Sequence, residues 1–200
     1  MFAMQNLTAG QLNAIVKKLG GEEGALKLLR DELVISEAVA KKLLERLSTT
    51  IVVPAVTQFI AADNFIVDTS KSAKVKISYL GDNFKANFLQ KVESDEVAAE
   101  ELVINKLLEN SFDPAIITAL GGEAKVEISL GQFFAAFAKQ PNGEKGALLT
   151  NGYANIGYIR DINGVLWAVY GLWDDDGWYF EANSLGGPHG WFGGLQFLSR

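Results

Sequence analysis

The segment from Val165 to Trp173, VLWAVYGLW, constrains this chain more than any other. Read as a strand, it puts Val165, Trp167, Val169 and Trp173 on one face and Leu166, Ala168, Tyr170 and Leu172 on the other. Both faces are apolar. Such a strand has to lie in a sheet covered on both sides, by helices on one and by other elements or a partner on the second. Turns flank it. Asp161-Ile162-Asn163-Gly164 comes before and Asp174-Asp175-Asp176-Gly177 after, each with glycine where a positive φ is needed. Tyr153 to Arg160 and Trp178 to Leu185 then read as neighbours in an antiparallel β-meander, with Ala147 to Thr150 as a further strand-like piece.

The start of the chain is different. Thr8 is placed to cap a helix with Leu12, Ile15, Val16 and Leu19 at helical spacing, and Gly20-Gly21 supplies a left-handed stop. A second helix follows, opening on Glu22 and Glu23 where the helix dipole favours negative charge. Ser36 is positioned to cap a third, carrying Ala40, Leu43, Leu44 and Leu47. Residues 1–48 therefore read as a small helical unit, and residues 49–200 as an α+β domain ending in the meander. In that domain IVVPAVTQFI reads as an extended strand demoted by Pro54, and Lys74 to Tyr79 alternates as a half-buried strand. Helices are expected around Phe84, Phe88 and Leu89, from Ser94 through Leu108, from Asp113-Pro114 to Gly121-Gly122, and from Ser129 through Phe137. Leu-Gly-Gly-Glu occurs twice, at Leu19 and at Leu120. Its flanks differ, since Lys125 to Ile128 reads as strand, so two glycine helix stops explain it better than a repeat. The fold class is α+β, an N-terminal helical unit followed by an antiparallel sheet packed on helices.

Composition excludes several functions. The chain has 200 residues and no cysteine, so disulfides, thiolate metal sites and cysteine nucleophiles are absent. A single histidine excludes a His-rich metal site, and no cofactor is expected. A formal net charge of −6 argues against general affinity for phosphate backbones or anionic membranes. The amino terminus lacks the basic start and apolar run of a signal peptide, and no apolar stretch is long enough for a bilayer, so a soluble cytoplasmic protein is expected.

The run GALLTNGYANIGYIRDINGVLWAVY, the Trp-rich hairpin after it, the ending GGLQFLSR and the earlier KVKISYLGDN together resemble a family of uncharacterised proteins from candidate-phylum bacteria. The resemblance covers roughly residues 50–200. It implies a shared fold and lends no catalytic residues. It also implies that the N-terminal helices are a variable attachment.

The chemistry concentrates in WDDDGWYFEANSLGGPHGWFGG, from Trp173 to Gly194. Asp174, Asp175 and Asp176 lack the alternating ligands and distant glutamate of a calcium loop and read as a hairpin turn. His189 sits in a glycine-rich loop, where a general acid or base is conceivable by its pKa but a plain loop histidine is the simpler reading. The glycine-rich stretch carries no Gly-Lys-Ser/Thr and so no phosphate loop. Most of the tryptophans are expected in the core, with Trp191, flanked by glycine, the one least suited to it. The leading reading is a non-enzymatic interaction or accessory protein, meeting a protein partner or a second copy of itself through Trp173, Trp178, His189, Trp191 and Phe192. The alternatives are a carbohydrate-binding or carbohydrate-active protein using the aspartates and tryptophans, and a DNA-binding regulator using Lys17, Lys18, Lys27 and Arg30 of the N-terminal helices.

Overall fold

A computed structural model describes residues 8–30, 42–94, 98–187 and 190–200. The chain divides into two compact units, Met1–Lys41 and Lys42–Arg200. In the first, helix α1 (Ala9–Lys18) begins at a capping box: Thr8 Oγ1 accepts the Gln11 N–H, and Gln11 Oε1 accepts the Thr8 N–H. It ends at Leu19, and Gly20 and Gly21 follow at φ 91° and 85°. The Gly21 N–H donates to the Val16 carbonyl and the Gly20 N–H to that of Lys17, the paired bonds of a Schellman stop. Helix α2 (Glu22–Leu29) starts at once. Neither helix buries a residue.

The Ser36 cap of the expected third helix lies outside the described residues, and its second half is corrected. Leu44 and Leu47 belong to strand β1 (Leu44–Val53), which is part of the second unit. The spacing of Leu43, Leu44 and Leu47 suits a helix, but Leu44 is buried beside Leu107 in a strand pair. Tertiary contact overrides local periodicity there.

After β1 come β2 (Phe59–Ile60), α3 (Ala61–Asn64), β3 (Ile77–Leu80), α4 (Asp82–Phe88), β4 (Val92–Glu93) and β5 (Glu100–Leu107). Next are α5 (Asp113–Ala119), α6 (Glu123–Val126) and α7 (Leu130–Phe137), then β6 (Asn155–Arg160), β7 (Leu166–Asp174), β8 (Gly177–Ser184) and β9 (Gln196–Ser199). Seven strands form one sheet in the order β1-β5-β9-β6-β7-β8-β3, while β2 and β4 pair by themselves. The expected meander is present as β6-β7-β8; Gly164 carries the positive φ expected of the first turn, but in the second it is Asp175, not Gly177, that does so. The sheet as a whole is mixed, because β9 runs parallel to β6 and β3 parallel to β8. The α+β class stands, with an antiparallel majority.

Four local expectations are corrected. The helix expected from Ser94 through Leu108 is strand β5: Leu102 and Ile104 face one core while Leu107 faces the other, so apolar residues on both faces hide the alternation. IVVPAVTQFI is two strands, since pairing with β5 stops at Val53 beside Pro54. Ala147 to Thr150 is a loop, held because the Leu148 N–H donates to Gln140 Oε1 and the Leu149 N–H to Asn155 Oδ1. Lys125-Val126 is helical. Gly121 and Gly122, at φ 99° and 92°, repeat the stop of the first Leu-Gly-Gly-Glu: the Gly122 N–H donates to the Ile117 carbonyl and the Gly121 N–H to that of Thr118. Both copies thus turn one helix into the next.

The sheet separates two cores, as the sequence of β7 requires. On one face Val169, Trp178, Phe180 and Leu198 pack against Phe84 and Phe88 of α4 and Leu130, Phe133, Phe134 and Phe137 of α7. Helix α7 opens at the expected Ser129, in a capping box with Gln132, and the Glu93 carboxylate accepts the Leu130 and Gly131 N–H groups. Gly171 lies under Phe137, whose ring would be 2.4 Å from any Cβ there. On the other face Ile156, Tyr158, Leu166, Ala168 and Phe197 pack against Ile116 of α5, Val126 of α6 and Trp191.

Candidate interaction surface

The described part of the loop before β9, residues 190–195, is held by hydrogen bonds. Its backbone is zipped to residues 107–111: the Trp191 N–H donates to the Ser111 carbonyl at 2.7 Å, and the Ser111 N–H returns a bond to Trp191 at 2.9 Å. The Gly194 N–H donates to the Leu107 carbonyl, and the Gly193 N–H to Asn110 Oδ1. Glycine is required at Gly190, where a Cβ would lie 2.8 Å from the Ser111 carbonyl oxygen.

Trp191 turns inward. It is 8% exposed, with its ring edge-on to Tyr170 and Phe197. Its indole N–H donates to Asp113 Oδ1 at 2.7 Å, and the Tyr158 hydroxyl donates to the same oxygen at 2.9 Å. Asp113 is itself buried at the start of α5. The sequence makes Asp113 a cap, yet Phe112 occupies that position and the carboxylate instead joins a helix, a strand and a loop. Burial, and then the Asp113 charge, push the Tyr158 hydroxyl far above its usual pKa, so it stays a neutral donor.

The next residue points the other way. Phe192 is 69% exposed, and Phe112, opposite on the zipped loop, is 57% exposed. The Phe112 ring lies against Gly190, and the half-exposed Tyr153 ring lies over Gly194, each glycine two positions from Phe192 along the chain. Leu108 adds an exposed side chain from the same backbone pair.

From Trp191 a row of tyrosines continues across the sheet. Tyr170 of β7 stacks on Tyr179 of β8 at 6.4 Å, and Tyr179 stacks on Tyr79 of β3 at 5.1 Å with planes 16° apart. The Lys85 ammonium lies over the Tyr79 ring, 5.5 Å from its centroid. Stacking within the row covers part of the ring faces. Burial, with Tyr179 and Glu181 nearby, pushes the Tyr170 hydroxyl up to about 12, and burial with Glu181 also raises Tyr179.

The structure does not assemble the other expected residues here. Trp178 is fully buried in the opposite core, donating through Nε1 to the Gln140 carbonyl at 2.9 Å. Trp173 meets it edge-on at 5.4 Å and packs on Gly143, where a Cβ would come within 2.3 Å of the indole. His189 lies outside the described residues. Trp191, expected to be the tryptophan least suited to the core, is a core residue, because Asp113 supplies the buried acceptor its N–H needs. Asp174, Asp175 and Asp176 form the β7–β8 turn, with Asp175 at φ 45°. Among the described residues no group of three or more His, Asp or Glu could hold a metal ion, and no helix is long and apolar enough to cross a membrane. Lys27 of the N-terminal helices pairs with Glu23.

Sequence reasoning missed Asp113, Phe112 and Tyr153. Only the Asp-Pro start of α5 marks the first, and nothing in the sequence links it to Trp191, 78 positions away. Compared with known proteins, the chain matches no family model, no curated protein and no solved structure.

Proposed function

We propose that this chain is a non-enzymatic interaction protein that meets a protein partner through the outward residues of its C-terminal loop, Phe192 with Phe112, Tyr153 and Leu108 beside it. The observation that carries this reading is the contrast between neighbours: Trp191 is locked beneath the loop, and Phe192 is held out in water at 69% exposure. A large aromatic on a rigid loop loses little entropy on binding, and clustered exposed rings mark interaction surfaces. The tyrosine row extends that surface. Its rings stack on each other, which covers part of the faces a sugar would use and favours a protein partner over the carbohydrate alternative.

Phe192→Asp, with Phe112→Ser as a second variant, tests this reading by quantitative affinity capture from cells that make the protein. Both changes lie at exposed positions and should leave the unfolding midpoint nearly unchanged. A specific protein held by the wild type and depleted roughly ten-fold by either variant is the expected result, as for loss of a central interface aromatic. Undiminished capture by both variants would contradict the reading, as would a glycan bound on an array and lost in the same variants.

A further inference from the structure

A second surface lies at the end of the sheet, away from the aromatic loop. β1 is an edge strand. Open edges are normally blunted by bulges, proline or charge, because their free N–H and C=O groups recruit other strands. Here the irregularity between Arg46 and Thr50 and the proline at Pro54 bracket the edge and leave Thr50 to Val53 regular between them. Thr50, Ile51 and Val52 of that stretch form one wall of a groove of about 450 Å³, within the usual range of ligand pockets. Lys139, Gln140 and residues 144–147 form the other wall.

The second wall is rigid. Buried Gln140 donates through Nε2 to the carbonyls of Glu144 and Leu148, and its Oε1 accepts the Leu148 N–H. Gly146 leaves room for that amide, since a Cβ there would sit 2.5 Å from Gln140 Oε1. The groove's lining holds two lysines against one carboxylate, Glu144, which stays ionised. Glu144 accepts the side-chain and backbone N–H groups of Asn142, and Glu101 accepts the Thr50 hydroxyl. Lys139 and Lys145 are exposed and make no ion pair among the described residues. Among the described residues the groove thus combines an open strand edge, two ammonium groups without an ion pair and the exposed apolar side chain of Val52.

We propose that this groove binds an extended acidic peptide segment of a partner protein. The segment adds as a strand beside Thr50–Val53, its carboxylates meet Lys139 and Lys145, and an apolar side chain rests on Val52. Main-chain bonds along the edge supply affinity and the lysines select for acidic residues.

The test uses the full chain and a short labelled peptide alternating glutamate and valine, followed by fluorescence anisotropy and by amide shifts in NMR spectra. Saturable binding is expected, with shifts at Thr50 to Val53. The double variant Lys139→Glu/Lys145→Glu, at exposed positions, should keep the unfolding midpoint and weaken binding roughly ten-fold or more. A peptide alternating lysine and valine should not bind, nor should the glutamate–valine peptide N-methylated at every residue, which has no strand donors. Equal binding of the N-methylated peptide would overturn strand addition. No binding of the glutamate peptide, unshifted edge amides, or sedimentation of the free protein as a dimer paired through β1 would overturn the proposal as a whole.

Discussion

Trp178→Ala is expected to cost about 3–5 kcal/mol, enough to unfold much of the population of a domain of ordinary stability. Trp178 has no exposed surface, meets Phe137 edge-on at 4.7 Å and Trp173 at 5.4 Å, and satisfies the Gln140 carbonyl. Removing the indole leaves a cavity between β8 and α7 and deprives that carbonyl of its donor. The loss reaches the 139–147 loop, because the Gln140 side chain fixes its course. Trp178→Phe separates the two contributions, since it fills much of the cavity but restores no donor. Urea unfolding should place it between the wild type and the alanine variant. Equal midpoints for Trp178→Ala and the wild type would mean that the residue is not in the core.

Asp113→Ala is the second large effect. It strands two buried donors, the Tyr158 hydroxyl and the Trp191 indole N–H, and each buried polar group without a partner costs about 1–3 kcal/mol. A loss of roughly 2–6 kcal/mol is expected. The sign of the coupling is more informative than the size. In the wild type, Tyr158→Phe removes a satisfied hydrogen bond; beside Asp113→Ala it removes an orphaned donor and should cost less. A double-mutant cycle on unfolding midpoints is therefore expected to be non-additive by about 1 kcal/mol or more. Additive costs would show that the shared carboxylate does not link α5, β6 and the C-terminal loop.

The parts of the fold legible in the sequence are those whose signals are local. Thr8 and Ser129 begin helices through capping boxes with residues three positions on, and the Asp-Gly turns join the hairpins on either side of β7. The double apolar face of β7 gives the two cores, since Val169 packs on one side and Ala168 on the other. What escaped depends on partners far along the chain. ELVINKL in β5 and LERL in β1 carry helix-compatible leucine spacing, and pairing with each other, and of β5 with β9, makes them strands. The C-terminal segment divides in the same way. Trp191 looks free because glycines flank it, yet those glycines let the backbone approach Ser111 and carry the indole to Asp113. Phe192, in the same setting, has no such acceptor to seek and remains outside.

The comparison of Trp191→Ala with Phe192→Ala tests most directly whether this loop is a buried anchor carrying an outward contact residue. Equilibrium unfolding in urea, with both variants measured beside the wild type, is the measurement. Trp191→Ala should lose about 3–5 kcal/mol, as a buried aromatic does, and Phe192→Ala should stay within about 0.5 kcal/mol of the wild type, as exposed positions do. A stable Trp191→Ala variant, or a Phe192→Ala variant destabilised as much as Trp191→Ala, would contradict the account.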